Sequence, residues 1–165
     1  MDLLSLGCYY IFNRDWIWLL IGFIMICTKK YRIFGLVMIV AVVLQATVVS
    51  AVKDVVARPR PYITYDVDAL INNLNSYSFP SGHTSAAFCA ATVVTAFRRN
   101  LAVPMFVLAA FIGLTRMYMY AHYPTDVLVG AIVGIVCALF VIFILLRMDP
   151  RTVFVDHGRP DENQE

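Results

Sequence analysis

Three short segments of the chain carry polar side chains that together could bind a phosphate group. They are Lys53-Asp-Val-Val-Ala-Arg-Pro-Arg60-Pro61, Phe79-Pro80-Ser81-Gly82-His83 and Arg116-Met-Tyr-Met-Tyr-Ala-His122-Tyr-Pro-Thr-Asp126. Between them they supply cations, a serine, a glycine and two histidines, one of which is followed by a carboxylate four residues later. The surrounding sequence is strongly hydrophobic. Polar chemistry at the ends of apolar helices indicates an enzyme that acts on a phosphate attached to a lipid.

The first segment can place two cations on one face of a helix. Lys53 and Arg60 are seven residues apart, about two helical turns, so both side chains can point to the same side. The prolines that flank Arg60 are expected to end this helix. The alternative is a basic cap whose side chains extend to the membrane surface. Asp54 and Arg58, four residues apart, could form a plain helix-surface ion pair, and neither is assigned a chemical role.

The second segment has the pattern of a turn that leads into a helix. Free backbone N–H groups and the positive end of the helix favour an anion at such a position. Gly82 would let the backbone approach that anion closely, and Ser81 could add a hydroxyl donor. The alternative is an ordinary N-cap followed by His83 at the membrane interface.

The third segment combines a cation with a histidine and a carboxylate. Arg116 ends one apolar stretch, and His122 and Asp126 flank the start of the next. The spacing of four lets the carboxylate reach an imidazole nitrogen, which would fix its tautomer and raise its basicity. The alternatives are an acidic residue that complements a helix N-terminus and an interfacial histidine within a belt of tyrosines.

The composition is that of an integral membrane protein. The 165 residues are 61% hydrophobic and 15% charged, with a mean hydropathy of +0.75, whereas soluble domains have about 25% charged residues. The formal charge of +2 is too small to indicate nucleic-acid binding. Residues 1–147 are predicted to form one membrane domain, and residues 148–165 a polar, disordered cytoplasmic tail. The four cysteines lack metal-ligand spacing and are interpreted as buried apolar residues.

Five hydrophobic segments predict an all-α bundle of five membrane helices: Trp16–Thr28, Ile33–Val52, Ser85–Phe97, Leu101–Thr115 and Val127–Leu146. Lysines and arginines cluster at 29–32, 98–99 and 147–151. These clusters share one side if each segment crosses once, and the positive-inside rule makes that side cytoplasmic. The three polar segments then share the outer side of the plasma membrane. Because all three segments lie on the same side, a single site that they share is favoured over a separate structural explanation for each segment.

At these residues the chain resembles the type 2 phosphatidic acid phosphatase superfamily. The patterns Lys-x6-Arg-Pro, Pro-Ser-Gly-His and Arg-x5-His-x3-Asp follow the order of that family's signature, from Lys53 to Asp126. With the flanking segments the resemblance covers most of the chain, and every catalytic position is filled. Thr115 stands where the family usually has serine, and the family core usually has six spans where five are seen here.

The resemblance implies a phosphohistidine mechanism without a cofactor. His122 would be the nucleophile, and Asp126 would hold its imidazole. His83 would protonate the leaving group and then activate water. The residues expected to bind the substrate phosphate are Lys53, Arg60, Ser81, Gly82 and Arg116. Because three cations can take the place of metal ions and no carboxylate cluster is seen, no metal is expected.

The resemblance also implies the reaction, which is hydrolysis of a lipid phosphate or diphosphate at the outer leaflet. Undecaprenyl diphosphate is the first expectation, on family analogy alone. The alternatives are a phosphatidylglycerol phosphate or phosphatidate phosphatase, or a lipid phosphotransferase that uses the same site. The expected partners are the lipid substrate and the bilayer, and the oligomeric state is left open. A non-catalytic lipid-binding or scaffolding protein would be expected to have lost a histidine or an arginine of the signature.

Two further patterns concern packing. Residues 67, 70, 71 and 74 in the loop Tyr62–Tyr77 are apolar at helical spacing, which is consistent with a short interfacial helix or with an ordinary loop. Gly130 and Gly134 form a Gly-xxx-Gly pattern, which is interpreted as close packing within the bundle rather than as a dimer interface.

Overall fold

The computed structural model describes residues 16–67 and 76–148, together with the single residue Gly7. Within these ranges every regular element is helical. The α-helices in chain order are α1 (Trp16–Cys27), α2 (Arg32–Val56), α3 (Pro61–Thr64), α4 (Gly82–Phe97), α5 (Ala102–Tyr118) and α6 (Pro124–Met148). Short 3-10 turns join α1 to α2 at Lys29–Tyr31 and α4 to α5 at Arg99–Leu101.

The five longer helices correspond to the five predicted hydrophobic segments, so the all-α membrane fold is confirmed. Three stretches are long and apolar enough to cross a membrane, namely Lys29–Thr64, Arg99–Tyr118 and Pro124–Met148. At about 1.5 Å per residue, the 25 residues of α2 and of α6 each extend over about 37 Å. The helices α1 and α4 are shorter, with 12 and 16 residues.

The central helix of the bundle is α4, which packs against α2, α5 and α6. Its buried residues are mostly small: Ser85, Ala86, Ala87, Cys89, Ala90 and Ala91. Small side chains allow neighbouring helix backbones to approach closely, which matters because lipid tails compete with apolar side chains for the same contacts. The composition of α4 therefore explains its position in the middle.

Close backbone approach between α4 and α6 depends on the two glycines of the Gly-xxx-Gly pattern. A Cβ atom on Gly130 would lie 2.6 Å from the carbonyl oxygen of Ser81, and one on Gly134 would collide with the carbonyl oxygen of Ser85. The predicted packing role within the bundle is thus confirmed. It also fixes the distance between the start of α4 and the start of α6, where two of the polar segments lie.

The outer surface of the bundle is apolar along the helices. Large exposed side chains on α6 are Leu128, Ile132, Val136, Phe140 and Phe143, and α1 exposes Leu20 and Phe23. A surface patch of this kind would cause aggregation in water, but it matches the hydrocarbon of a bilayer. The chain is a multi-pass membrane protein.

The basic turns meet at one end of the bundle. The Arg98 guanidinium donates a hydrogen bond of 2.8 Å to the hydroxyl of Tyr31, so the α4–α5 turn contacts the α1–α2 turn. Arg147 lies in the last turn of α6, which ends on the same side because the helices alternate in direction. The polar segments lie at the opposite end, as the alternation of charges predicted.

Two predictions fall on residues outside the described ranges. Met148 is the last residue of α6, and the rest of the predicted tail, residues 149–165, is not described. In the loop Tyr62–Tyr77 the described residues form the end of α3 and a turn, while residues 68–75 are not described.

The glycine contact predicts a large loss of stability when Gly134 is enlarged. We expect Gly134→Val to lower the free energy of unfolding by about 1–3 kcal/mol, because the added atoms would displace the α4 backbone at Ser85. Thermal unfolding in detergent measures this effect. Val136→Leu, at an exposed position two residues further along the same helix, is the matched control and should leave the midpoint unchanged. Equal midpoints for both variants would contradict the packing role.

Candidate active site

The three polar segments come together at one end of the helical bundle. Their backbones are joined directly, since the N–H of Ser81 donates to the carbonyl of Asp126 at 3.0 Å and the N–H of Ser78 donates to the carbonyl of Arg58 at 2.8 Å. The buried polar residues here include Arg60, Ser78, Ser81, Arg116, His122 and Asp126. So many buried polar groups in a small membrane protein mark a functional site rather than a stabilising core.

His122 lies in the loop between α5 and α6, and the orientation of its ring can be read from its neighbours. Arg60 places Nη1 3.2 Å from Nε2 of His122. Because a guanidinium can only donate, Nε2 accepts this bond and holds the lone pair of the ring. The ring proton is then on Nδ1, which faces Oδ2 of Asp126 at 3.6 Å. The imidazole is therefore held with its lone pair towards the cations and its N–H towards the carboxylate.

The surroundings of this imidazole favour the neutral ring. Burial lowers the pKa of His122 to about 4, and the positive charges of Arg60 and Lys53 act in the same direction. The neighbouring Asp126 carboxylate opposes them by favouring the charged ring. The net result is an imidazole that is neutral at neutral pH, which is the form that has a free electron pair.

The carboxylate of Asp126 is completely buried, with 0% of its side chain exposed, and it is held on both oxygens. Oδ2 accepts hydrogen bonds from the hydroxyl of Ser78 and from the backbone N–H of Tyr123, the latter at 2.9 Å. Oδ1 is bound by Nη1 of Arg58 at 2.8 Å. A buried charge needs this many partners, because an unpaired carboxylate in such a place would cost several kcal/mol.

Arg58 and Ser78 are therefore parts of the site that the sequence did not reveal. The interpretation of Arg58 as the helix-surface partner of Asp54 is wrong, since its ion pair is with Asp126. The chain leaves its helical path before Arg58, where α2 ends at Val56 and Ala57 adopts a left-handed conformation. The spacing of four then no longer describes one helix face. The nearest sequence signal was a second arginine two residues before Arg60.

Two predicted cations are anchored to the backbone just before α4. Lys53 Nζ donates to the carbonyl of Tyr77 and lies 3.4 Å from that of Ser78. Arg60 Nε donates to the carbonyl of Ser76 at 2.8 Å, and its Nη1 donates to the carbonyl of Ala121 at 2.9 Å. These carbonyl contacts orient both side chains towards the same place.

A cavity of about 490 Å³ opens beside these cations. Its lining includes Lys53, Arg58, Arg60, Ser76 and Tyr77. The volume falls within the range of about 300–1,000 Å³ that is usual for small-ligand sites. In the part of the chain that the structure describes, no group of three or more His, Cys, Asp or Glu side chains is placed to hold a metal ion.

The start of α4 departs from an ordinary helix N-terminus. Ser81 occupies the N-cap position but makes no side-chain capping bond, and its hydroxyl instead pairs with that of Thr84 at 2.9 Å. A Cβ atom on Gly82 would touch only a methyl group of Val49, at 3.7 Å. Packing within the protein therefore does not require glycine at this position, in contrast to Gly130.

His83 and Arg116 complete the set of predicted residues. His83 lies in the first turn of α4, directly after Gly82, and Arg116 lies in the last turn of α5. The guanidinium of Arg116 is buried, with Nε and Nη2 each 3.4 Å from the hydroxyl of Thr115. The threonine in the position of the usual serine thus keeps its hydroxyl beside the arginine. The eight predicted site residues all lie at this end of the bundle.

Comparison with known proteins identifies relatives over most of the chain. Residues 30–148 match the PAP2 superfamily. The bacitracin transport permease protein BcrC of Bacillus licheniformis is 30% identical over 115 residues, which cover 69% of this chain and 57% of that protein. The undecaprenyl-diphosphatase BcrC of Bacillus subtilis is 32% identical over 78 residues, covering 47% of this chain and 40% of that protein. The chain thus spans about half the length of these curated relatives.

A solved structure supports the same assignment. The crystal structure of LpxE from Aquifex aeolicus superposes with a TM-score of 0.76 at 30% sequence identity. The superposition covers 86% of this chain and 85% of LpxE.

The environment of His122 predicts that its ring stays neutral at pH 6. Nitrogen NMR of protein labelled at histidine should show a ring with a protonated Nδ1 and an unprotonated Nε2, and a His122→Gln variant identifies the signal by its loss. Because the pKa is lowered to about 4 from an ordinary value of 6.5, protonation favours the unfolded chain. This contribution to stability is fully present above about pH 6.5 and is lost as the pH falls towards 4. A charged ring at pH 6 would contradict the geometry.

Proposed function

The chain belongs to the PAP2 superfamily, and on this basis we propose that it is a membrane phosphatase that hydrolyses a lipid phosphate or diphosphate through a phosphohistidine. The observation that carries the proposal is the orientation of His122. Its Nε2 lone pair points towards the cations, while Nδ1 is backed by the carboxylate of Asp126. A nucleophile with an orienting carboxylate behind it is the arrangement that covalent phosphoryl transfer requires.

In the first step, Nε2 of His122 attacks phosphorus and the bond to the leaving oxygen breaks. The ring becomes positively charged, and the carboxylate of Asp126 stabilises that charge while it keeps the ring in place. His83, which enters this step in its protonated form, donates a proton to the leaving oxygen and becomes neutral. For a diphosphate substrate the leaving group is the lipid monophosphate, and for a monophosphate it is the lipid alcohol.

In the second step, water attacks the phosphohistidine. His83 now accepts a proton from the water, the new P–O bond forms as the P–N bond breaks, and inorganic phosphate leaves. Both histidines return to their starting states, so no co-reactant other than water is needed. Most of the catalytic effect in such a reaction comes from placing the groups in line and from stabilising charge on the transferred phosphoryl group.

The phosphoryl oxygens would be bound by Lys53, Arg60 and Arg116 together with the Ser81 hydroxyl and the Gly82 N–H. The space around Gly82 supports this role, since a Cβ there would meet only Val49 in the protein. A glycine that packing does not require is explained by a ligand that approaches the backbone. Cations in these positions supply the charge that Mg²⁺ supplies in other phosphoryl-transfer enzymes, so we propose that turnover needs no metal.

We propose undecaprenyl diphosphate as the substrate and the outer leaflet of the plasma membrane as the place of reaction. The relative from Bacillus subtilis is named an undecaprenyl-diphosphatase, although it shares only part of its length with this chain. The proposed sidedness rests on the basic turns at the opposite end of the bundle, which the positive-inside rule assigns to the cytoplasm. The eight predicted site residues then face outwards, where a diphosphate headgroup would be accessible.

We expect His122→Ala and His83→Ala to abolish turnover at different steps. In EDTA, with undecaprenyl diphosphate labelled in its terminal phosphate, wild type should release free phosphate, and His122→Ala should form no labelled protein. His83→Ala should still form an acid-labile phosphoenzyme from a substrate with a good leaving group, and should accumulate it because water is not activated. Rapid quenching followed by gel analysis measures both.

Three results would contradict the proposal. Acid-labile label on the His122→Ala protein would exclude His122 as nucleophile. Activity that is lost in EDTA and restored by Mg²⁺ would exclude the metal-independent mechanism. Label that appears in a second lipid instead of in free phosphate would identify a phosphotransferase. Faster release from phosphatidylglycerol phosphate or phosphatidate than from undecaprenyl diphosphate would change the substrate and leave the mechanism in place.

The proposed sidedness predicts which end of the bundle an impermeant thiol reagent can reach. Single cysteines are placed at Tyr65, which is exposed after α3, and at Asn100, which is exposed in the α4–α5 turn. The native residues Cys8, Cys27, Cys89 and Cys137 are replaced beforehand. On intact cells only the cysteine at position 65 should be labelled, and permeabilised cells serve as the control for both. Labelling at position 100 and not at 65 would place the site in the cytoplasm.

A further inference from the structure

The side chain of Arg58 connects the end of α2 with the start of α6. Its Nη1 lies 2.8 Å from Oδ1 of Asp126 and 2.8 Å from the hydroxyl of Thr125. The guanidinium also lies over the ring of Tyr123, with its central carbon 3.7 Å from the ring centroid. Three residues around the start of α6 thus hold one arginine, which is far more than a solvated surface arginine receives.

We propose that Arg58 is a positioning residue, which acts through the Asp126 carboxylate to hold His122 in line for attack on phosphorus. This inference rests on the phosphohistidine function proposed above. It assigns to Arg58 no contact with the substrate. The role is distinct from that of Arg60, whose guanidinium touches the Nε2 atom of His122 directly.

The two oxygens of the Asp126 carboxylate have different partners. Arg58 binds Oδ1, whereas Oδ2 faces Nδ1 of His122 and accepts bonds from Ser78 and from the Tyr123 N–H. Because both oxygens are bound, the carboxylate cannot rotate about the Cβ–Cγ bond without breaking the ion pair with Arg58 and the hydrogen bonds to Oδ2. The plane of the carboxylate, and with it the direction from Oδ2 to the imidazole, is thereby fixed.

The charge of Arg58 has a second consequence for the same pair. Asp126 is completely buried, and an isolated carboxylate there would be strongly disfavoured. Arg58 is 35% exposed, so its positive charge reaches the buried carboxylate at a lower desolvation cost than a fully buried cation would have. It therefore keeps Asp126 ionised.

The test compares Arg58→Gln with Arg99→Gln, a matched control in the turn at the opposite end of the bundle. The rate of phosphoenzyme formation at saturating substrate should fall about 10–100-fold in Arg58→Gln, which is typical when a group that orients a catalytic residue is lost. KM should change less than about threefold. Arg58→Lys, which retains a charge but not the planar fork, should recover part of the rate. Arg99→Gln should match wild type.

A double-mutant comparison separates action through Asp126 from an independent effect. Adding Arg58→Gln to Asp126→Asn should lower the residual rate by less than about twofold, because the carboxylate that Arg58 orients is already gone. A full 10–100-fold further loss would overturn the proposal. A raised KM with an unchanged rate in Arg58→Gln would assign Arg58 to substrate binding instead. If neither KM nor the rate changed, Arg58 would have no role in the reaction.

If Arg58→Gln fails to fold, Thr125→Val provides the second variant. It removes the hydroxyl contact of Arg58 and leaves the ion pair with Asp126, so a smaller loss of rate with unchanged KM is expected. Wild-type kinetics in Thr125→Val would count against the proposal. Failure of wild type itself to form a phosphoenzyme would instead refute the phosphatase function, so the two failures are distinguishable.

Discussion

A single buried carboxylate determines how the end of the bundle that carries the three polar segments is built. Asp126 lies in the first turn of α6 and has no exposure to solvent. Its charge is tolerated only because Arg58, Ser78 and the Tyr123 backbone surround it. These partners come from the residues after α2, from the residues before α4 and from the loop before α6. Satisfying one charge therefore requires all three polar segments to converge.

The helices bring this carboxylate into position by close backbone contact rather than by large apolar side chains. Gly130 lies one turn after Asp126 and packs against the carbonyl of Ser81, whose own N–H donates to the carbonyl of Asp126. The start of α4 is thus fixed against the start of α6 to within a hydrogen-bond length. An ordinary side chain at position 130 would push Ser81, and the Gly82 N–H next to it, away from the histidine. Packing inside the membrane and geometry of the site are set by the same contact.

The sequence predicted the parts of this structure that depend on local spacing. The five apolar helices, the Gly-xxx-Gly contact and the four-residue step from His122 to Asp126 all follow from residues that are near one another in the chain. The partner of Arg58 could not be predicted, because 68 positions separate it from Asp126 and the helix that would have aligned it with Asp54 has already ended. Ser78 was missed for the same reason. Its hydroxyl is indistinguishable in the sequence from that of any loop serine.

The contacts of Lys53 and Arg60 show how the site can be both preformed and ready for an anion. Both side chains donate to backbone carbonyls of residues 76–78, which are dipoles and not charges. A carbonyl dipole orients a cation but does not neutralise its charge. A negatively charged phosphoryl group in the same place would therefore interact with the cation more strongly than the carbonyls do. Among the described residues, the buried carboxylate of Asp126 has an ion pair of its own with Arg58. In the proposed mechanism the charges of Lys53 and Arg60 act on the phosphoryl oxygens, and most strongly when negative charge develops on them during transfer.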